Sequence, residues 1–120
     1  MKLVCVTTFA VMLFTIGCSR PHVSTQLRAT PERSAPDLMI QYGCPTCHVI
    51  AHVPGAVGKV GPALDDLAQR SYLAGTLQNT PQNLIHWIQH PQQIHPGTAM
   101  PEMGVTSEDA GRIAAFLQIN

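Results

Sequence analysis

The chain has 120 residues, a length that suits one domain, and its seven basic and seven acidic residues leave no formal net charge. From Pro36 onward, three basic residues stand against six acidic ones, a formal charge of −3, and no basic cluster is present. This distribution argues against nucleic acid as a partner. Three Phe, two Tyr and one Trp are also few aromatic side chains for the core of such a domain.

The first 17 residues have the pattern of a secretory signal. Lys2 precedes an apolar stretch from Leu3 to Ile16, which is shorter than the roughly 20 residues that a transmembrane helix needs. The sequence I-G-C-S at positions 16–19 resembles the lipobox of bacterial lipoproteins, in which the cysteine is lipidated. We therefore expect export to the periplasmic side of a bacterial membrane, with Cys18 as a lipid anchor. An ordinary signal peptide with an incidental cysteine is the alternative.

Residues 18–35 are polar, are rich in Pro, Ser and Thr, and show no apolar periodicity. This composition predicts a flexible tether. The predicted organisation is a signal peptide at 1–17, a tether at 18–35 and a folded domain at 36–120. A domain tethered in this way meets partners on the same membrane at a high effective concentration.

The most informative stretch is Cys44-Pro45-Thr46-Cys47-His48, which has the C-x-x-C-H spacing of a c-type haem attachment site. In such a site two thiols add to the haem vinyl groups, and the next histidine ligates the iron. Cys44 and Cys47 are therefore the expected covalent attachment points and His48 is the expected axial ligand. The predicted cofactor is one covalent haem c, and a large flat apolar group also fits the shortage of aromatic core residues.

The paired cysteines have three other interpretations. A thioredoxin-like redox site needs a neighbouring βαβ pattern, and no alternating run of β-branched residues is visible nearby. A zinc site needs about four ligands, and His86 and His90, although four residues apart, have no second pair of cysteines beside them. A simple disulfide between Cys44 and Cys47 is possible but leaves His48 unexplained.

The sequence after this motif adds a family resemblance. A glycine-rich loop at 49–61 and the sequence G-P-A-L at 61–64 follow the C-x-x-C-H run, and this order resembles the class I cytochrome c family. The segments G-T-L-Q-N-T-P at 75–81 and T-A-M-P at 98–101 are similar to those of haem-c domains that accompany bacterial terminal oxidases. The resemblance covers residues 36–117. It implies an all-α fold in which three to five short helices wrap around one covalently bound haem.

The resemblance also implies roles for residues outside the motif. The Pro62 carbonyl is expected to accept a hydrogen bond from the Nδ1 of the haem-ligating histidine, which orients the imidazole. Arg70 is expected to pair with a haem propionate, with a solvated surface arginine as an equal alternative. Trp87 holds the position of an aromatic residue close to the sixth ligand. Met100, in the Pro- and Gly-bounded loop 94–101, is the expected sixth ligand, and Met103 is the alternative.

The first predicted helix leads into the haem motif. It runs from Pro36 to Tyr42, and Gly43 is a natural stop. Ile40 lies four residues before Cys44, so we expect its side chain to face inward.

Two later helices have clear start signals. Thr80 followed by a proline predicts the N-terminus of one helix, and Thr106 followed by acidic residues predicts the N-terminus of the last. In the family, the last helix crosses the first, which implies that Ile113 and Phe116 pack near Ile40. The predicted apolar faces are Leu84, Trp87 and Ile88 in the earlier helix, and Ala110, Ile113, Ala114 and Leu117 in the last.

The expected ligand pair predicts the function. Histidine and methionine on both axial positions leave the iron no open site, and this ligation is associated with a raised potential. We therefore predict a membrane-tethered one-electron carrier of a respiratory chain that is not an enzyme. Its expected partners are membrane redox complexes, namely an electron donor and a terminal oxidase. Two alternatives stay open: a haem subunit held permanently in a terminal oxidase complex, and a peroxidase or gas-binding protein in which Met100 is labile.

Overall fold

The computed structural model describes residues 32–120. The predicted signal peptide, the Cys18 anchor and most of the predicted tether lie outside this range. Every helix within it falls short of the length and apolar character that a membrane crossing requires. The elements in the range are α1 (Ala35–Gln41), α2 (Cys44–Cys47), a 3₁₀ helix (Leu67–Gln69), β1 (Tyr72–Leu73), β2 (Leu77–Gln78), α3 (Pro81–Gln89), α4 (Pro91–Ile94) and α5 (Ser107–Leu117).

The described range includes the last four residues of the predicted tether, and two of these contact the helices. The Ser34 hydroxyl accepts a hydrogen bond from the Asp37 backbone N–H at 3.3 Å and caps α1. Glu32 forms an ion pair of 3.0 Å with Arg112 on α5. The last residues of the predicted tether are therefore part of the folded structure.

Helix α1 ends as predicted but presents a different face to the core. Gly43 follows it with a φ of +79°, a conformation that a residue with a Cβ rarely adopts. Leu38 and Met39 are fully buried, whereas Ile40 is 46% exposed, so the prediction that Ile40 faces inward is wrong. The left-handed Gly43 breaks the helical register, and the four-residue spacing from Ile40 to Cys44 therefore does not put them on one face.

The fold is helix-rich, but it also contains a small sheet that the all-α prediction missed. Strands β1 and β2 pair antiparallel, with Leu73 opposite Leu77. Ala74 and Gly75 between them both have positive φ, at +48° and +80°, as in a type I′ hairpin turn. Alanine is an unusual residue at the first of these positions, which is why the sequence signal for the hairpin is weak.

The two later helices begin where they were predicted to begin. The Thr80 side chain accepts a hydrogen bond from the Asn83 N–H, and the Thr106 side chain accepts one from the Asp109 N–H, both at 3.2 Å. Helix α5 packs against both α1 and α3. On α3, Trp87 is only half-buried. The predicted stripe of α5, formed by Ala110, Ile113, Ala114 and Leu117, is buried, as are Leu84 and Ile88 of α3.

The core of the described range is apolar throughout, and no polar or charged side chain is buried in it. Its residues come from α1, the loop after α2, the 3₁₀ helix, β1, α3, the loop before α5 and α5 itself. The buried side chains are Leu38, Met39, Ile50, Val53, Ala56, Leu67, Leu73, Leu84, Ile88, Val105, Ala110, Ile113, Ala114 and Leu117.

A side-chain hydrogen bond joins the end of α1 to the first turn of α5 and makes stability depend on pH. The Tyr42 hydroxyl donates to the Asp109 carboxylate at 2.7 Å. This hydrogen bond lowers the pKa of Asp109; desolvation opposes the shift, and Thr106, Arg33 and Arg112 add smaller contributions that lower the pKa. A carboxyl group with a depressed folded-state pKa stabilises the fold above its unfolded-state pKa, and this contribution is lost as the pH falls through the folded-state pKa.

We expect Tyr42→Phe to lower the Tm at neutral pH. We also expect the Tm of this variant to fall less than that of the unmodified protein between about pH 5 and about pH 3. Both effects follow because the Asp109 pKa moves back toward its ordinary value when the hydrogen bond is lost. Thermal unfolding at several pH values measures both effects. Tyr72→Phe is the matched control, since Tyr72 is 60% exposed. Identical pH profiles for Tyr42→Phe and the unmodified protein would contradict this role of the hydrogen bond.

Candidate functional site

The two cysteines of the motif lie on one short helix. Helix α2 holds Cys44 and Cys47 three residues apart, so both sulfurs lie on the same face. Both are half-buried free thiols. Burial raises the pKa of the Cys44 thiol, and a charge on Cys47 acts in the same direction, while a backbone hydrogen bond opposes them. A thioredoxin-like site needs a neighbouring βαβ unit, and the strands within residues 32–120 form a single antiparallel pair, so the structure disfavours that interpretation.

His48 follows α2, and its ring is fixed by the backbone of a later loop. Its Nδ1 lies 2.7 Å from the carbonyl oxygen of Pro62. A carbonyl only accepts hydrogen bonds, so Nδ1 carries the proton. In the neutral imidazole the lone pair is then on Nε2, at the opposite side of the ring. The structure therefore contains the hydrogen bond that the family resemblance implies, and it leaves Nε2 as the nitrogen able to bind a metal.

Two glycines let this loop lie directly against the motif. A Cβ on Gly61 would overlap the Cε1 of His48 and would lie 2.7 Å from its Nδ1. A Cβ on Gly58 would overlap the carbonyl group of Thr46 and would lie 2.6 Å from the carbonyl carbon of Cys47. The Gly61 N–H also donates to the Cys47 carbonyl at 2.8 Å. The sequence indicated a loop here but did not reveal that these glycines are required by close contact with the imidazole and with α2.

We expect Gly61→Ala to lower the free energy of unfolding by about 1–3 kcal/mol, because the added methyl group must displace either the loop or the imidazole. Urea unfolding of the purified full-length chain measures this. Gly111→Ala is the control, since a Cβ at this position of α5 meets no atom within 4 Å. It should leave stability unchanged or raise it by up to about 1 kcal/mol. Equal stability of Gly61→Ala and the unmodified chain would contradict the close contact.

Arg70 has partners in the same loop region. Its Nη2 donates to the carbonyl oxygens of Ala63 at 2.6 Å and Asp65 at 3.2 Å. These contacts hold the chain immediately after Pro62. Arg70 is thus not a freely solvated surface arginine, and the predicted contact with a haem propionate stays a prediction.

The two candidate methionines differ in their surroundings. Met103 packs against the buried core, and its Cε lies 3.5 Å from where a Cβ on Gly43 would be. Met100 is half-buried, but it is not among the residues of the described range that pack against the core. Trp87 is also half-buried and also lies outside that core. Met103 therefore has a packing role beside the residue that precedes Cys44, and the choice of Met100 over Met103 as the ligand stays a prediction.

The structure groups these residues into two sets. Cys44, Cys47, His48 and Pro62 form one connected unit. Met100 belongs to a second unit, the loop after α4, and in the part of the chain described no hydrogen bond joins this loop to the His48 segment. Residues 32–120 also contain no cluster of three or more His, Cys, Asp or Glu side chains arranged for a metal ion, so the cysteines have no partners there for a zinc site.

Sequence reasoning missed one residue of this second unit, Gln92. Its side-chain amide binds the backbone of the loop that carries Met100. A glutamine in a polar stretch gives no signal of such a role, because its partners are backbone groups that lie close only in the folded chain.

Comparison with known proteins gives one informative similarity. The cytochrome c oxidase subunit 2 of Alkalihalophilus pseudofirmus is 33% identical to this chain over 76 residues, which are 62% of the chain and 21% of that protein. The chain thus spans about a fifth of the length of this relative. No protein family matches the chain, and no solved structure does.

This similarity supports one part of the predicted resemblance and corrects another prediction. It agrees with a likeness to oxidase-associated proteins, and it does not single out the class I cytochrome c family. The prediction that the protein is not an enzyme is wrong in the light of this match, because the relative is a subunit of an oxidase and an oxidase is an enzyme.

Proposed function

We propose that this chain is a c-type haem module that passes single electrons in a membrane oxidase system. Cys44 and Cys47 would hold the haem covalently, and His48 and Met100 would be its axial ligands. When bound, haem c supplies a one-electron couple between ferric and ferrous iron. The chain's own residues would hold this group at the two cysteines and would orient the histidine ligand.

The hydrogen bond from the His48 Nδ1–H to the Pro62 carbonyl is the observation that carries the proposal. It selects the tautomer in which Nε2 has the free lone pair, and it stops the ring from rotating. The contact with Gly61 holds the same ring from the side. An imidazole held in this way directly after two free thiols fits a c-type haem site, and it has no evident use in a disulfide. The same ring would also suit zinc, but residues 32–120 contain no cluster of three or more His, Cys, Asp or Glu side chains that would complete a zinc site.

Met100 is the proposed sixth ligand. A thioether is a soft ligand, and a His/Met pair raises the potential of the iron. Met103 is engaged in the core beside Gly43, and moving its sulfur to the iron would cost that packing. Trp87, half-buried on α3, is the proposed aromatic neighbour of the site, and Arg70 is the proposed propionate partner.

The proposed setting is the periplasmic side of a bacterial membrane. The signal pattern at 1–17 supports export, and Cys18 is the proposed lipid anchor. The similarity to an oxidase subunit supports a respiratory role and membrane redox complexes as partners. With Lys59 as its one lysine after the signal and a formal charge of −3 from Pro36 onward, the domain is poorly suited to dock on a strongly acidic surface.

Electron transfer to an oxidase tests this proposal. The holoprotein, reduced and freed of excess reductant, is mixed with oxidase-containing membranes from its source in air. We expect rapid reoxidation that cyanide blocks and that needs the membranes. Reoxidation at the same slow rate with and without membranes would contradict the proposed role.

The name of the relative favours a second candidate, in which the chain is a subunit held permanently in an oxidase complex. Extraction of membranes in mild detergent at high salt separates the two candidates. A carrier elutes apart from the oxidase, because a transient contact is small and weak. A permanent subunit elutes with it.

A further inference from the structure

The loop that carries Met100 is held by one side chain. The Nε2 of Gln92 donates to the carbonyl oxygens of Thr98 at 2.8 Å and Met100 at 2.7 Å. The Oε1 of the same amide accepts a hydrogen bond from the Gly97 N–H at 3.1 Å. Both amide hydrogens and the amide oxygen are therefore used, and all three partners are backbone groups of this loop.

The backbone of Gln92 adds a fourth contact on the far side of Met100. Its N–H donates to the Glu102 carboxylate at 3.2 Å. The loop is thus attached to a single residue at positions before, at and after Met100. The Thr98 N–H also bonds the His95 carbonyl at 3.1 Å, but the other hydrogen bonds given for residues 97–102 involve Gln92, which therefore contributes most to holding this part of the loop.

The backbone of Gln92 is held in place by α4 and by the buried residue before it. It is the second residue of α4, and Pro91 before it is among the largest fully buried side chains of the described range. The neighbouring Gln93 is exposed, and its backbone N–H bonds the His90 carbonyl within the same turn. The chain therefore offers two adjacent glutamines, of which one contacts the Met100 loop.

We propose that Gln92 is a positioning residue that holds the Met100 thioether ready as a ligand. This inference rests on the proposed function, because it requires Met100 to bind iron. A preorganised ligand loses little conformational freedom on binding, so the ligand-bound state is favoured. Without the amide, the loop samples other conformations and the thioether leaves the iron more often. The ferric state is affected first, because a soft thioether favours ferrous iron.

The test compares Gln92→Ala, Gln92→Glu and the control Gln93→Ala in the full-length holoprotein. Gln92→Glu keeps the side-chain length and an acceptor for the Gly97 N–H, but it removes both donors to the carbonyl oxygens. Covalent haem content and far-ultraviolet circular dichroism establish that each variant is assembled. Imidazole titration of the ferric protein then measures how often the sixth position is open, since imidazole competes with Met100.

We expect both Gln92 variants to bind imidazole about tenfold more tightly than the unmodified protein, and to lose intensity in the methionine-to-iron charge-transfer band. The midpoint potential should fall, because the thioether stabilises ferrous iron relative to ferric iron and a weaker hold on the thioether reduces that preference. Gln93→Ala should match the unmodified protein in all three measurements. A structural role alone would alter unfolding without changing the imidazole affinity of the folded protein.

Unchanged imidazole affinity, band intensity and potential in Gln92→Glu would overturn the inference, even if Gln92→Ala fails to assemble. The failure of the proposed function has a different signature. In that case the unmodified protein holds no covalent haem, or its charge-transfer band survives Met100→Ala. Either result overturns the role of Gln92 together with the ligand assignment.

Discussion

Cys47→Ala is expected to abolish normal haem attachment and to reduce the yield of folded holoprotein by about tenfold or more. One of the two proposed thioether links is lost, so the chain would hold the proposed haem less firmly, and a group that binds only the folded chain stabilises it. Cys47 is the last residue of α2 and directly precedes His48, so the substitution also removes the proposed attachment point next to the proposed axial ligand. Haem staining of denatured protein after export, together with intact mass, measures the result.

Cys18→Ala is the matched control for this experiment. It removes a cysteine outside the proposed haem site, so covalent haem should be retained, while the protein moves from the membrane fraction to the soluble fraction if Cys18 is lipidated. Two covalent links persisting in denatured Cys47→Ala would exclude the proposed site. Loss of haem in both variants would show that the effect is not specific to α2.

Met100→Ala and Met103→Ala are expected to have opposite effects. Met100→Ala should abolish the methionine-to-iron charge-transfer band and lower the midpoint potential by about 0.1 V or more, because axial ligands set haem potentials over about 0.8 V. Met103→Ala should keep the band and the potential. It should instead lower the free energy of unfolding by about 1–3 kcal/mol, because Met103 packs against the core beside Gly43.

Visible spectra, redox titration and urea unfolding of the two holoproteins separate these effects. If Met103→Ala loses the band while Met100→Ala keeps it, the wrong sulfur has been assigned. Loss of the band in both variants with no change in stability would show that the loop moves as a whole, and the distinction drawn from core packing would then be wrong.

Local signals predicted the helices best. The starts of α3 and α5 were predicted because Thr80 and Thr106 cap these helices. Each side chain accepts a hydrogen bond from the N–H three residues later, and such a local contact can be recognised from the sequence. Their buried faces follow from helical periodicity. Ile40 was predicted wrongly because its spacing from Cys44 was counted through Gly43, where the backbone leaves the helical conformation.

The remaining differences depend on contacts that are distant in sequence or on weak turn signals. The hairpin β1–β2 turns at Ala74 and Gly75, and alanine at a positive φ is not a recognisable turn signal. Gly61 and Gln92 act on His48 and on the Met100 loop, contacts that no pattern within the sequence describes. By contrast, the hydrogen bond between His48 and Pro62 was implied by the family resemblance and is present in the structure.

The incorrect prediction about enzymatic character has another cause. The prediction was based on the two expected axial ligands, which would leave the iron of this chain no open site. That argument considers the chain in isolation. Whether a redox chain belongs to an enzyme depends on the assembly it joins, and the similarity to an oxidase subunit bears on that assembly. The proposed electron-transfer role accordingly places the chain in an oxidase system.

The central claim is that this chain binds haem c through Cys44, Cys47, His48 and Met100. The most direct test is the visible spectrum of the full-length protein, exported together with a haem attachment system, recorded oxidised, reduced and after denaturation. We expect a c-type reduced spectrum, a methionine-to-iron charge-transfer band in the ferric protein, and haem that stays with the denatured chain. A protein without haem, or one whose haem is extracted on denaturation, would contradict the claim.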